Sequence, residues 1–433
     1  MKHLVFTCLL FSVAWSGMSQ FVPQPLNYPE PGYWPYYYSI ADPDHVWIGT
    51  VNEYGLPCAF SAKTIDGGDS WTFDSIPVPG TPGCVSICGW DSNTCFFVFM
   101  EAGGPSVWKT TDGGTNWSNI ITTQFAGSFI NFYHAYSADT GLAMGDPTEG
   151  YFEIQTTNDG GLTWTRIPSS DIPVPLTGEI GLNHSYSAIG NSVWFTTSKA
   201  RLYRSDDRGQ TWNVADVFPG ASLDLGVCFS TELKGAVWSS TQTLSTLVVT
   251  NDGGITWDTV SFPAGYFIVD MSRVPGWEGG FVVTAYKNGM RVYFTPDMFN
   301  TLLVIEPSIL STGAVEFYDA TTGWLAGGES GSNEIYKFIW VLNSGGERAE
   351  QMKLSILPNP SSGQAFVKIP EGLDPKDMEI GITDMTGKEV VRYPVRDRNY
   401  IPLDPSPVSN GIYLVTLYSG NTVLARERWV VNQ

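Results

Sequence analysis

One octapeptide pattern recurs five times: Thr64–Trp71 (TIDGGDSW), Thr110–Trp117 (TTDGGTNW), Thr157–Trp164 (TNDGGLTW), Ser205–Trp212 (SDDRGQTW) and Thr250–Trp257 (TNDGGITW). Their first residues lie 46, 47, 48 and 45 positions apart. A period of this length with short β-rich flanks describes stacked copies of one supersecondary unit, and four short strands per unit describes a propeller blade. Val107–Thr110 and Arg201–Arg204 are such flanks.

The chemistry of the repeat points to a structural turn. The Gly-Gly pair tolerates positive φ and lets the chain reverse. The carboxylates Asp66, Asp112, Asp159, Asp207 and Asp252 can accept the turn's own N–H groups. Trp71, Trp117, Trp164, Trp212 and Trp257 bring a large ring to bury beneath each hairpin. Asp-x-Gly clusters also occur in calcium loops, but those assemble more carboxylates than the one or two in each copy. The five copies resemble the Asp-box of the BNR/sialidase-like propellers. That resemblance implies a box between the third and fourth strands of each blade, on the face away from the ligand site.

Worn copies complete the count. Thr295 stands 45 residues after Thr250 and Asp297 falls at the Asp position, without the glycines or the Trp. Val315–Gly328 and Glu334–Phe338 supply strands of a further unit. The pattern predicts seven blades over residues 20–342, with strands such as Phe129–Tyr136 and Gly141–Met144 in the third blade and Asn183–Ala188 and Val193–Thr197 in the fourth. A strand near Phe21–Leu26 would complete the last blade and remove the free sheet edges.

At the start, Lys2 and His3 precede the apolar run Leu4–Trp15, and Gly17 and Ser19 fit a cleavage site before Gln20; residues 1–19 read as a secretion signal. No later run approaches the roughly 20 apolar residues of a membrane-spanning helix. The chain carries a net charge of −20, yet residues 351–433 hold nine basic and nine acidic groups, so the whole excess lies upstream. Such an acidic surface argues against nucleic acid or anionic lipid as partner. Cys58, Cys84, Cys88, Cys95 and Cys228 remain after the signal. Cys88 and Cys95 flank a turn and could cross-link a hairpin, whereas Cys228 in Val227–Phe229 reads as a buried thiol. No CxxC pair or His cluster marks a metal site, and no cofactor is implied.

Residues 343–352 form a polar linker. Residues 353–433 alternate apolar and polar positions between turn residues, the pattern of a small Ig-like β-sandwich. Pro358-Asn-Pro-Ser-Ser-Gly363, Asp384-Met-Thr-Gly-Lys388 and Asn410-Gly-Ile-Tyr413 also resemble the C-terminal sorting domain of the type IX secretion system of Bacteroidetes. That implies the type IX machinery as a partner, with surface attachment or release.

If the boxes mark one face, the opposite face carries Glu53, Glu101, Asp146, Glu149, Lys199, Lys287 and Glu329 from within blades, and Glu179 and Asp224 from between them. Asp146, Glu179 and Asp224 are the candidate ligand-binding residues at the channel mouth. Asp146 and Glu179 together would suit glycoside hydrolysis, which needs an acid and a nucleophile or base. Trp90, Trp277 and Trp324 offer sugar-stacking rings. Sialidases place an Arg-Ile-Pro before the first box; here Arg166-Ile-Pro168 follows the third. Xyloglucanase-type enzymes carry two propellers, and this chain has one. Met144-Gly-Asp-Pro147, Val193-Trp-Phe195 and Ala200-Arg-Leu-Tyr-Arg-Ser205 resemble single seven-bladed propellers of the photosystem II assembly factor type. Three readings follow: a non-catalytic module for glycan or protein, a glycoside hydrolase or lyase, and a structural exoprotein.

Overall fold

The computed structural model describes residues 19–431 apart from 27–32, 53–58, 81, 102, 220–224, 242–243, 310–312, 327–333, 341–353, 360, 369–377, 385–387, 396–399, 405, 407 and 420–421. The residues read as the signal, all but Ser19, and those read as the linker therefore lie outside it, as do Glu53, Cys58, Asp224 and Glu329. The chain forms two compact units that divide between Val341 and Leu342. Among the described residues the first unit holds seven four-stranded antiparallel sheets. In six of them the strands follow chain order from the inside outward. Tyr33–Ile40 opens blade 1, Gly83–Gly89 blade 2, Ile130–Ala135 blade 3, Gly181–Ile189 blade 4, Leu225–Phe229 blade 5 and Phe267–Arg273 blade 6. Ala314–Phe317 opens blade 7, whose outer strand is Ser19–Pro25 from the chain's start, paired Phe21 to Phe338. Each inner strand touches the next around a closed ring, blade 7 back to blade 1, so the fold is a β-propeller.

The boxes supply the joints. In the third, Thr163 N–H donates to Asp159 Oδ1 at 2.8 Å, and Gly161 N–H donates to Thr157 Oγ1 at 2.9 Å. Gly160 N–H donates to Asp139 O at 2.8 Å, tying the box to the first turn of its own blade, so both turns share one end of the ring. The second glycine is needed twice over. Gly161 has φ +92°, and a Cβ there would sit 2.6 Å from Ile120 of the preceding blade.

Trp71, Trp117 and Trp164 also reach back across the joint, the last through Nε1 to Ile120 O at 2.9 Å, rather than lying only beneath their own hairpins. Trp71 meets Trp324 of blade 7 edge-on at 5.8 Å, and Trp117 meets Trp47 of blade 1 at 6.3 Å. A basic side chain one residue before several boxes then clasps the next blade's box. Lys63 donates to Gly113 O, Lys109 to Gly160 O, and Arg204 to Gly253 O. The worn sixth copy keeps this wiring without its glycines. Thr301 N–H donates to Asp297 Oδ1 at 2.7 Å, while Met298 and Phe299 take up φ of 55° and 67°. Phe299 stacks on Phe281 at 5.8 Å, doing in its own blade the packing a Trp does elsewhere.

Cys88 and Cys95 are free thiols, which corrects the hairpin cross-link. Cys95 pairs with Gly89 in the ladder and Cys88 with Phe96, so the two side chains leave opposite faces of the sheet. Cys228 is a buried free thiol.

The second unit is a sandwich of two sheets. One joins Ser355–Leu357, Ala365–Lys368 and Tyr400–Leu403; the other joins Met378–Asp384, Glu389–Pro394, Gly411–Ser419 and Thr422–Val431. Its three sequence motifs are clasps. Asn359 holds the last strand through Val430 N–H at 2.8 Å, and Ser361 accepts from Trp429 Nε1 at 2.7 Å. Asp384 accepts from Lys388 N–H at 3.0 Å. Tyr413 Oη donates to Ser409 O at 3.0 Å.

Candidate functional site

Asp146 and Glu179 meet the same segment, the connector from blade 3 to blade 4. Asp146 is the bulged residue of Gly141–Thr148, where the register shifts between Gly145 and Pro147. The bulge turns its carboxylate to Gly181, whose N–H donates to Oδ1 at 2.9 Å. Burial pushes its pKa up, against the Gly181 and Asn131 hydrogen bonds. Glu179 is 3% exposed. Arg201 donates to both its oxygens, from Nε at 3.0 Å and from Nη2, while Leu176 N–H donates at 2.7 Å and Thr197 Oγ1 also donates. Arg201 further reaches Tyr203 Oη at 2.8 Å. A buried carboxylate with a bidentate guanidinium and two more donors has its lone pairs committed to holding the connector. On the same face Arg166 bridges Glu149 at 2.8 Å and Glu153 at 2.6 Å.

The ring encloses a cavity of about 460 Å³ on its axis, within the range of small-ligand sites. All seven inner strands line it, through the halves that run into the box-side turns: Tyr36–Ile40, Ser86–Gly89, His134–Ala135, Tyr186–Ala188, Val227–Cys228, Asp270–Arg273 and Ala314–Glu316. The cavity thus sits toward the box-bearing end, whereas sequence reasoning placed the ligand at the opposite mouth. Trp90, 41% exposed, stands in the turn that follows the blade 2 inner strand and lines the cavity too. Trp238 reaches it past Gly226, where a Cβ would sit 2.1 Å from the indole. Trp324 instead is 0% exposed in the joint of blades 7 and 1, and Trp277 packs on Phe294 at 4.9 Å.

One position repeats around the cavity: Ser39, Cys88, His134, Ser187, Cys228, Ser272 and Glu316. Neighbouring inner strands belong to different sheets, so their facing N–H groups need side-chain acceptors. Ala135 N–H donates to Cys88 Sγ at 3.4 Å, Phe229 N–H to Ser187 Oγ at 3.0 Å and Phe317 N–H to Ser272 Oγ at 2.9 Å. Arg273 N–H donates to Cys228 and Ile40 N–H to Glu316 in the same way. Asp270, two residues before Ser272, accepts from Val315 N–H at 2.8 Å. The sequence carried a signal for this ring, a recurrent polar residue one or two positions before the end of each inner strand, but it was masked by the variety of residues that fill it.

Enclosure governs the charges here. Burial raises Asp270 to about 7 and Glu316 to about 8, the latter against Arg273 and with Asp270 adding to the rise. Burial lowers His134 to about 4, helped by Arg273. Cys88 rises to about 11 and Cys228 to about 12, again through burial. Sequence reasoning missed Asp270, Arg273 and Glu316 altogether, because each stands within a strand of ordinary alternating pattern.

With that geometry in place, comparison with known proteins is informative. Residues 355–432 match the secretion system C-terminal sorting domain. The chain is an export substrate of type IX secretion. The sorting domain directs it to the cell surface or beyond, and no helix among the described residues is long and apolar enough to cross a membrane. The ring is similar to the structure of YCF48 bound to D1 peptide, at 15% identity and a TM-score of 0.56, over 75% of this chain and 98% of that one. The GH74 xyloglucanase from Xanthomonas campestris gives 8% identity and a TM-score of 0.51 over 94% and 75%. In sequence, a xyloglucanase of a Paenibacillus species is 22% identical over 52% of this chain and 26% of its own length. A probable oligoxyloglucan-reducing end-specific xyloglucanase of Neosartorya fischeri is 31% identical over 24% of this chain and 14% of its own. The chain thus spans about a quarter or less of the length of the curated relatives it matches. These likenesses establish the propeller fold.

Proposed function

We propose that the ring is a non-catalytic binding module for a glycan or a protein, carried to the cell surface by its sorting domain, with residues 1–19 removed on the way and residues 353–433 acting as the detachable signal. The observation that carries this reading is the axial cavity, which joins aromatic rings from Tyr36, Tyr186, Trp90 and Trp238 to a few convergent polar groups. Asp146 and Glu179, the acids first suited to hydrolysis, support the reading by being tied into the connector. A neighbour's structure carrying a bound peptide supports it as well.

The mature protein should bind members of a combined glycan and peptide array, release no reducing sugar from the glycans it binds, and lose about tenfold in affinity on Trp90→Ala. Binding unchanged by that substitution would remove the cavity from the account. A glycoside hydrolase is the second reading, favoured by two carboxyls that titrate near neutrality in one cavity and by xyloglucanases among the relatives. Sugar release abolished by Asp270→Asn would establish it in place of the first.

A further inference from the structure

Carboxyls withdrawn from the surface of this ring come in two kinds, Glu179 buried outright and Asp270 and Glu316 half-buried. Glu179 has Arg201 against it. Asp270 and Glu316 line the axial cavity, and among the described residues no cation lies within ion-pair distance of either. Asp270 accepts backbone N–H groups from Val315 and Met271, and Glu316 accepts one from Ile40. Those bonds leave carboxylate lone pairs facing the cavity. Arg273 shares the wall without forming an ion pair with them. Ser86, 1% exposed, also lines the cavity, and its hydroxyl has no hydrogen-bond partner. A polar atom sealed from bulk water without a partner has lost its hydration uncompensated, a loss that a bound group would relieve.

Access constrains the shape of such a group. Seven strands close the wall on every side, so a ligand enters along the axis and must be slender. The exposed rings of Tyr36 and Trp90 flank that path, and aromatic faces favour a passing cation. The acidic excess of the chain lies wholly outside its last 83 residues, so the ring's field draws basic segments toward it.

We propose that the axial cavity binds an organic ammonium group, presented by a lysine side chain of a partner peptide, with Asp270 and Glu316 as its counter-charges and Ser86 as a further acceptor. This rests on the ring being a binding module. The lysine stem, four methylenes long, crosses the aromatic collar and delivers the ammonium to the acids.

The sign of the pH dependence follows. An ammonium prefers both acids ionised, so binding expels their protons and strengthens as pH rises through about 7 and about 8. The other groups facing them are the Arg273 guanidinium, His134, neutral throughout this range, and the thiols and phenols of Cys88, Cys228, Tyr37 and Tyr186, which stay protonated. Lysine, with an unperturbed pKa near 10.4, remains cationic.

The test is calorimetry on the mature full chain with a terminally blocked Gly-Lys-Gly peptide, at about pH 6 and about pH 8, in two buffers of different ionisation enthalpy. Binding about tenfold tighter at the higher pH, with net proton release, is expected. The same peptide with acetylated lysine should not bind, and Asp270→Asn with Glu316→Gln should weaken binding about tenfold while leaving the melting temperature at neutral pH no lower. Equal binding of the acetylated peptide, proton uptake, or a flat pH profile overturns the proposal. Array ligands held without dependence on an ammonium leave the module standing and remove this inference; no ligand of either kind removes both.

Discussion

The joint between blades 3 and 4 and the cavity wall of blades 6 and 7 both bury acids, and they treat them oppositely. At the joint, Glu179 meets the fork of Arg201, a hydroxyl and a backbone N–H. In the cavity, Asp270 and Glu316 receive only backbone N–H groups, and burial raises both. A paired buried charge is a fastener, costly to break and silent toward solutes. An unpaired one is held near neutral at the expense of ionisation, and so remains responsive to pH and to a ligand cation. Glu179 is almost wholly buried while Asp270 and Glu316 are half-buried against the cavity, and with the residue types alike, the neighbours and the access decide the role.

The largest expected effect breaks the fastener. Arg201→Ala strands the Glu179 charge in a dry joint and should cost about 3–5 kcal/mol in urea unfolding of the ring. A loss under about 1 kcal/mol would show that the pair is as expendable as a surface salt bridge and would dissolve the contrast.

The second effect is smaller and opposite in sign. The folded pKa values of Asp270 and Glu316 lie above the unfolded ones, so their protonated forms favour the fold. That contribution is complete below about pH 4 and is lost as pH rises through about 7 and about 8. Asp270→Asn with Glu316→Gln should therefore gain about 1–3 kcal/mol near pH 9 and nothing near pH 4, read as melting temperature against pH. Parallel curves for variant and parent would mean that the two acids are compensated after all.

The smallest effect concerns the box carboxylates, which form a third class, exposed and hydrogen-bonded. Thr163 donors hold Asp159 down to about 2. Its contribution is present above the usual carboxylate pKa and is lost as pH falls toward 2. Asp159→Asn should lower the melting temperature by a few degrees at most at neutral pH, and the gap should close in acid. A calcium chelator that shifts the parent's melting temperature instead would return the boxes to the metal reading.

Much of the fold was legible because it repeats. A Gly-Gly turn that must pass within a van der Waals radius of the preceding blade, as Gly161 passes Ile120, tolerates almost no substitution, so the pattern survives in plain view. The blade 7 closing strand was legible for a related reason, since an odd strand at the start of the chain had an incomplete sheet to finish. Less legible was the sixth box, where Met298 and Phe299 adopt the conformation without the residues that advertise it.

The candidate site divides along the same line. Sequence placed Asp146 and Glu179 at the same joint, because consecutive blades put a second-strand end beside the next connector. It had no means of showing that Arg201, 22 residues beyond Glu179, would occupy that carboxylate. Asp270 and Glu316 lie on separate blades, each an unremarkable polar residue in an alternating strand, and nothing local distinguishes them from solvated ones. Sequence by itself determined the repeat, the ring and the sorting domain, since turn conformation and strand alternation are local properties written in neighbouring residues. Only the tertiary structure decided which acids are spent and which are left open, since desolvation and pairing depend on what the closed ring brings around a side chain.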